Sequence, residues 1–281
     1  MTGLDKIIRE SDGHRMYKGL EKLVSFGNRF AGSKADNLAA EFMEKGFKKN
    51  KFEVKKENFK AHVFEEYESY IKVGDEKFSS RAMFFSESTN NELEAELALV
   101  GFGQEEDYSK LNVKNKIAIV LRNGHNDDYW SEVSMASKNG AVGFVLVNYY
   151  TWPTVTTLET GYFDPEKRLI PVEPNPIPAI VLGKEDGEKL IQLIKSGHTN
   201  ARLMVDAFSG ERIATNVRAI KPGIEKPNEK IVIYGHRDTA GTPGANDNGS
   251  GTIIMLEIAK ILSNFELKRT LEIISSSAEE H

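Results

Sequence analysis

Apolar and polar positions alternate along this chain with two different periods. Between Asp5 and Phe26, Ile7, Ile8, Met16, Leu20, Leu23 and Val24 fall on one helical face, and Gly13 divides the stretch into two helices. Ser33 is placed to cap a helix over 34–45, with Leu38, Ala39, Phe42 and Met43 inward and Gly46 just past its end. Residues 52–62 alternate as a strand whose lysines suit a sheet edge, and 66–85 read as further strand segments around Gly74-Asp75.

From about residue 90 the pattern changes to short apolar runs, the pattern of buried strands: 96–102, 117–122, 142–148 and 179–182. Between them lie a helical or turn piece over 107–111, a helix over 131–139 with Gly140 as its C-cap, and an aromatic, proline-rich loop over 149–178. An amphipathic helix over 184–196 follows, with Leu190, Ile191 and Ile194 inward. Residues 201–208 and 211–220 read as a hairpin around Ser209-Gly210, and 221–230 as a turn with two prolines. Ile231–Tyr234 and Leu271–Ile274 read as buried strands. Between them a helix over 250–264 presents a broad face of Ile253, Ile254, Leu256, Ile258, Ile261 and Leu262. Strands and helices mixed in this way predict an α/β protein. Residues 1–90 and 201–281 are expected to form one discontinuous domain, with 91–200 inserted as a smaller α/β domain.

Composition narrows the chemistry. The 281 residues carry a net charge of -5, which gives no reason to expect nucleic-acid binding. There is no cysteine, so disulfides, thiolate ligands and cysteine nucleophiles are excluded, and any metal must be held by His, Asp and Glu. No run approaches 18 apolar residues and the first ten are polar and charged, so neither a membrane span nor a secretory signal is expected. A cytoplasmic protein is the expectation, and a homo-oligomer is left open.

Candidate chemistry collects where the last two apolar strands end. The first runs into Gly235-His236-Arg237-Asp238, and a strand directs His236 and Asp238 to the same side. Such a pair suits a metal-bound imidazole oriented by a carboxylate. It is equally a surface histidine beside an acid. Asp247 lies in a run of small and amide residues, GANDNGSG, where backbone can approach an ion. An Asp ahead of a helix is also an ordinary cap. Glu279 and Glu280 follow the second strand and are expected to point to different faces, one as ligand and one as base. Paired glutamates also form solvated turns. The combination carries the case for a hydrolytic metal site.

The three motifs GHRDT, PGANDNGSG and SSSAEE resemble those of the di-zinc aminopeptidases and carboxypeptidases of metallopeptidase family 28. NRFAGS ahead of a helix, Gly46-Phe47 and Thr215-Asn216-Val217 are similar too, and 91–200 looks like the protease-associated domain that some members carry. The resemblance implies a three-layer α/β/α zinc-peptidase domain and an exopeptidase acting on peptides, first of all an aminopeptidase. It implies two zinc ions about 3.5–4 Å apart, with water between them attacking the scissile carbonyl. His236 and Glu280 would each bind one zinc. Asp247 would bridge both, followed by a cis peptide to Asn248. Asp238 would orient His236, and Glu279 would be the general base.

The family pattern calls for a further Asp and His downstream, whereas this sequence stops at His281. The expectation is therefore a C-terminally truncated chain with each zinc one ligand short. The alternative is an inactive or incomplete chain whose protease-associated domain binds peptide or a partner. A single-zinc acyltransferase such as glutaminyl cyclase fits less well, because an Asp in a Gly-rich loop suits two metals better. His14, His62, His125 and His198 carry no motif context and read as structural or solvated.

Overall fold

Side-chain caps start the N-terminal helices. Asp12 and Ser33 accept the backbone N–H groups of Arg15 and Asp36, capping α2 (Gly13–Val24) and α3 (Lys34–Lys49), and α1 (Gly3–Glu10) precedes them. The computed structural model describes residues 3–122, 129–148, 177–239 and 241–280. The aromatic loop with Tyr149, Tyr150, Trp152, Tyr162 and Phe163 lies outside the described residues, as do His125 and His281.

Helix α3 does not end before Gly46. The glycine sits inside the helix, where α3 passes close to α7 (Gly251–Leu262). A Cβ added at Gly46 would stand 2.6 Å from Leu256 Cδ2. Leu38, expected inward, is 39% exposed, and Ala40 and Phe47 join Ala39 and Met43 in the core instead. On α7, Ile254 is likewise exposed while Ile253 and Ile261 are buried.

The strands are β1 (Glu53–Val73), β2 (Glu76–Ser79), β3 (Arg81–Ala82), β4 (Leu93–Gly101), β5 (Lys116–Leu121), β6 (Gly143–Val147), β7 (Ala179–Leu182), β8 (Asn200–Lys221), β9 (Lys226–His236) and β10 (Arg269–Ser276). Between them lie α4 (Glu105–Lys110), α5 (Tyr129–Lys138) and α6 (Lys184–Lys195). The hairpin expected around Ser209-Gly210 does not form, and β8 runs straight through both residues. A tight hairpin turn needs positive φ, which Gly210 does not adopt. Its first residues pair with β4 and its last with β10.

Residues 1–63 with 211–281 make one compact unit and 64–210 a second, with both boundaries inside β1 and β8. The second unit therefore extends beyond the 91–200 span read from the sequence. The reason lies in pairing: β3 bonds to β7, and the start of β8 bonds to β4. In this unit β4, β5, β6 and β7 run parallel, and their apolar runs are buried as expected, with Val120, Phe144, Leu146 and Val181 in one core.

In the first unit β10 lies between β8, antiparallel, and β9, parallel. Val217, Ala219, Leu271 and Ile273 share one face of this sheet and pack against Ala40, Met43 and Phe47 of α3 and Met255 and Ala259 of α7. The neighbouring positions Arg218, Lys230 and Glu272 form an ion-paired cluster, with Arg218 Nε 2.6 Å from Glu272 Oε1. The α/β class read from the sequence holds. The expected burial of β9 does not: Ile231, Val232 and Tyr234 are each more than half exposed. An apolar run reads as buried, but burial needs cover, and among the described residues β9 pairs only with β10.

The close approach at Gly46 gives a test of α3–α7 packing. Gly46→Val is expected to cost about 1–3 kcal/mol by overpacking. Combined with Leu256→Ala, part of that cost should disappear, giving a favourable coupling in a urea-denaturation double-mutant cycle. Additive losses would place the Gly46 surface away from Leu256.

Candidate metal site

Parallel pairing of β9 and β10 sets Gly235 opposite Ser275 and His236 opposite Ser276, so both chains leave the sheet at the same edge. Sites of open α/β sheets form at such carboxyl ends. Beyond β9 the side chains alternate as a strand requires. His236 and Asp238 point one way, with His236 Nδ1 3.7 Å from Asp238 Oδ1, and Arg237 points into the core.

Beyond β10 the alternation stops. Ala278 has φ of 62°, and the N–H groups of Glu279 and Glu280 both donate to Asp238 Oδ2 at 3.0 Å. The chain bends around that carboxylate oxygen. In consequence Glu279 and Glu280 do not diverge to opposite faces, as strand geometry had suggested. His236, Glu279 and Glu280 each offer a donor atom within 4.8 Å of the others, a grouping that stands alone among the described residues.

Asp247 reaches the same place from the other side. It lies in a turn over Ala245–Ser250 that leads into α7, and Asp247 and Asn248 depart from helical backbone angles there. The Asp247–Asn248 peptide is cis. No side-chain cap forms at the start of α7; the Asp247 carboxylate instead lies 3.1 Å from His236 Nε2. His236 Nε2 is also 3.7 Å from Glu279 Oε2. The five residues singled out in the sequence therefore come together, with Asp247 joined to the cluster through His236.

Burial sets the electrostatics. Asp238 is fully buried, and desolvation raises its carboxyl to about 6 against the lowering effect of the Glu280 N–H. Desolvation, reinforced by the charge of Asp247, raises Glu280 to about 7. His236 Nδ1 and Asp238 Oδ1 are buried polar atoms without a hydrogen-bond partner, facing each other just beyond bonding distance.

Two residues essential to this arrangement were not recognised in the sequence. Arg237 is completely buried. Its guanidinium donates to the carbonyls of Ser275 (3.0 Å), Ser276 (3.1 Å) and Thr215 (2.7 Å), and its Nε lies 3.0 Å from Asp36 Oδ1. Asp36, equally buried, accepts from Gly32 N at 3.0 Å and Ser277 Oγ at 2.7 Å through its other oxygen. Asp36 thus ties the start of α3 to the chain leaving β10. The available signal was the Ser33-x-x-Asp36 pattern of a helix start, which reads as capping and gives no hint of a distant arginine.

Two outcomes follow. Asp36→Ala leaves the buried Arg237 cation without its carboxylate and is expected to destabilise by about 3–5 kcal/mol in denaturant titration. The second concerns pH. The folded pKa of Glu280, about 7, lies above its ordinary value of 4.5, so the metal-free folded state binds more protons than the unfolded state between about pH 4.5 and 7. Stability from this group is present below that window and lost as pH rises through it. Glu280→Gln removes the effect, so the melting temperature of the variant relative to wild type should rise from pH 4.5 to 7 without metal. A constant difference would contradict the buried environment of Glu280.

Residues 216–281 match peptidase family M28, and residues 92–190 match the PA domain. A probable leucine aminopeptidase 2 of Aspergillus oryzae is 30% identical over 275 residues, covering 94% of this chain and 52% of that protein. Aminopeptidase YwaD of Bacillus subtilis is 27% identical over 264 residues, covering 91% of this chain and 52% of its own length. The chain spans about half the length of the curated relatives it matches. Among solved structures, a zinc aminopeptidase from Bacillus subtilis superposes with a TM-score of 0.76 at 26% identity, over 94% of this chain and 61% of that one. The residues that carry the candidate metal site lie within the segment that matches peptidase family M28, and a separate segment of the same chain matches the PA domain.

Proposed function

We infer that this chain contributes the zinc-binding core of an exopeptidase that removes N-terminal residues from peptides. One observation carries the reading: His236, Glu279 and Glu280 converge within 4.8 Å at the paired ends of two parallel strands, with Asp247 3.1 Å from His236.

The residues fit a zinc ion on their own chemistry. A small inward shift of Asp238 Oδ1 would let it accept the Nδ1 proton of His236, which relieves both orphaned atoms and leaves Nε2 free as the donor. One nitrogen and several carboxylate oxygens, without thiolates, make a donor set that zinc accepts. His236 Nε2, Asp247 and Glu280 would hold it. Asp247, reaching in from its own turn, is suited to a position shared by two ions. Zinc, when bound, supplies Lewis-acid polarisation of a scissile carbonyl and acidifies water at the site.

The chain's own residues divide the remaining work. After that inward shift Asp238 would fix the tautomer of His236, and through two backbone N–H groups it holds the bend that presents both glutamates. Glu279 is the more exposed of the pair and is free to take a proton from water and return it to the leaving amine. Burial raises Glu280, and the neighbouring charge of Asp247 raises it further.

The reading is tested by titrating metal-free protein with zinc and assaying the loaded form. Calorimetric titration should show zinc binding that His236→Ala abolishes. Glu279→Gln should retain zinc yet lower hydrolysis of an aminoacyl nitroanilide by about 10²–10⁴-fold, the usual contribution of a general base. Equal zinc binding by wild type and His236→Ala would refute the assignment.

A further inference from the structure

We propose that Arg29 is a positioning residue for this site: its buried guanidinium sets the distance between the strand end that bears His236 and the turn that bears Asp247. The proposal rests on the zinc reading above and adds a residue that does not touch the metal ligands' donor atoms.

The geometry is specific to that role. Arg29 is completely buried. Its Nε donates to the carbonyl of Arg237 at 2.6 Å, the residue between His236 and Asp238. Its Nη1 donates to Pro243 O at 2.6 Å and its Nη2 to Gly244 O at 3.1 Å, at the entrance to the Asp247 turn. One rigid planar group therefore holds both segments, a task that a flexible ammonium cannot reproduce. The main chain of Arg29 is pinned as well: its N–H donates to Thr239 Oγ1 at 2.8 Å, and its carbonyl accepts from Thr239 N at 3.1 Å.

The turn is built to receive this contact. Gly244 has φ of 51°, and its carbonyl accepts from Gly249 N at 3.0 Å as well as from Arg29, closing the loop around Asp247. A Cβ at Gly244 would stand 2.2 Å from Thr239 Cγ2 and 3.2 Å from Arg29 Nη2, so nothing larger than hydrogen fits. Burial lowers Arg29 to about 10, which leaves it a cation at neutral pH. That charge, near Asp238 and Asp36, is set beneath a cluster of carboxylates. Two carbonyl-bearing segments joined by charge-assisted bonds resist sliding, and the 3.1 Å spacing of His236 Nε2 and Asp247 Oδ1 depends on their register.

The experiment compares zinc affinity and thermal stability in the 281-residue protein for wild type, Arg29→Lys, Arg29→Met, His236→Ala and a core control, Met43→Val. Zinc alone is the probe, measured by chelator competition. Arg29→Met should weaken zinc binding about 10–100-fold, the scale seen when residues that orient ligands are replaced. Arg29→Lys should fall between it and wild type. Met43→Val should lower the melting temperature while leaving zinc affinity within about twofold. Cobalt(II) bound to Arg29→Lys should show a visible absorption spectrum changed from wild type, as expected for an altered ligand arrangement. If Arg29→Met fails to fold, Arg29→Lys carries the test. Wild-type zinc affinity and an unchanged cobalt spectrum in a folded Arg29 variant, whatever its melting temperature, would overturn the proposal and leave the zinc reading intact. Unchanged zinc affinity in His236→Ala would overturn both.

Discussion

The site depends on one buried cation. Arg237 lies between His236 and Asp238 in sequence and points away from them, into the core. There its guanidinium takes the carbonyls of Thr215, Ser275 and Ser276 and the carboxylate of Asp36. Burying a guanidinium is costly unless its donors are satisfied and its charge is met. Meeting both conditions forces three things together: the end of β10, a residue of β8 and the N-terminal turn of α3. The side chains on either side of Arg237 are thereby aimed at the place where Glu279 and Glu280 emerge. Burial acts against the charge, lowering the arginine's pKa, and the Asp36 and Asp238 carboxylates resist it.

On the outer side the balance is reversed. Asp238, Asp247, Glu279 and Glu280 gather around one histidine; burial raises the carboxyls of Asp238 and Glu280, and the charge of Asp247 adds to the rise at Glu280. The fold offsets part of this through main-chain N–H groups on Asp238 and through the charges of Arg29 and Arg237. Asp238 links the two sides. One oxygen shapes the bend carrying the glutamates, and the other stands opposite the imidazole.

Much of this was legible in the sequence because the signals are local. The apolar runs of β5, β6, β7 and β10, the cap at Ser33 and the strand-to-His-x-Asp pattern each depend on residues close in the chain. The misreadings have long-range causes. Gly46 looked like a helix end because its partner, Leu256, lies about two hundred residues away. Ser209-Gly210 looked like a turn, although the partners of β8 on either side of it keep it extended. Ile231 and Val232 looked buried because apolarity was visible and cover was not. Arg29, Asp36 and Arg237 went unnoticed as supports for the same reason: a buried charge in a loop or a helix start is identified by its partners, and those are scattered over the chain. The convergence of Glu279 and Glu280 was hidden by the bend at Ala278, which strand alternation cannot foresee.

Under the proposed reading, His236, Asp247 and Glu280 would hold a zinc ion. Anomalous diffraction at the zinc edge, from crystals of the zinc-loaded protein, tests it most directly. A peak is expected about 2.0–2.1 Å from His236 Nε2, with carboxylate oxygens of Asp247 and Glu280 at about 2.0–2.2 Å. The His236 Nδ1 to Asp238 Oδ1 separation should close to hydrogen-bond length. A zinc-loaded crystal with no peak at His236, or with its zinc bound elsewhere, would contradict it.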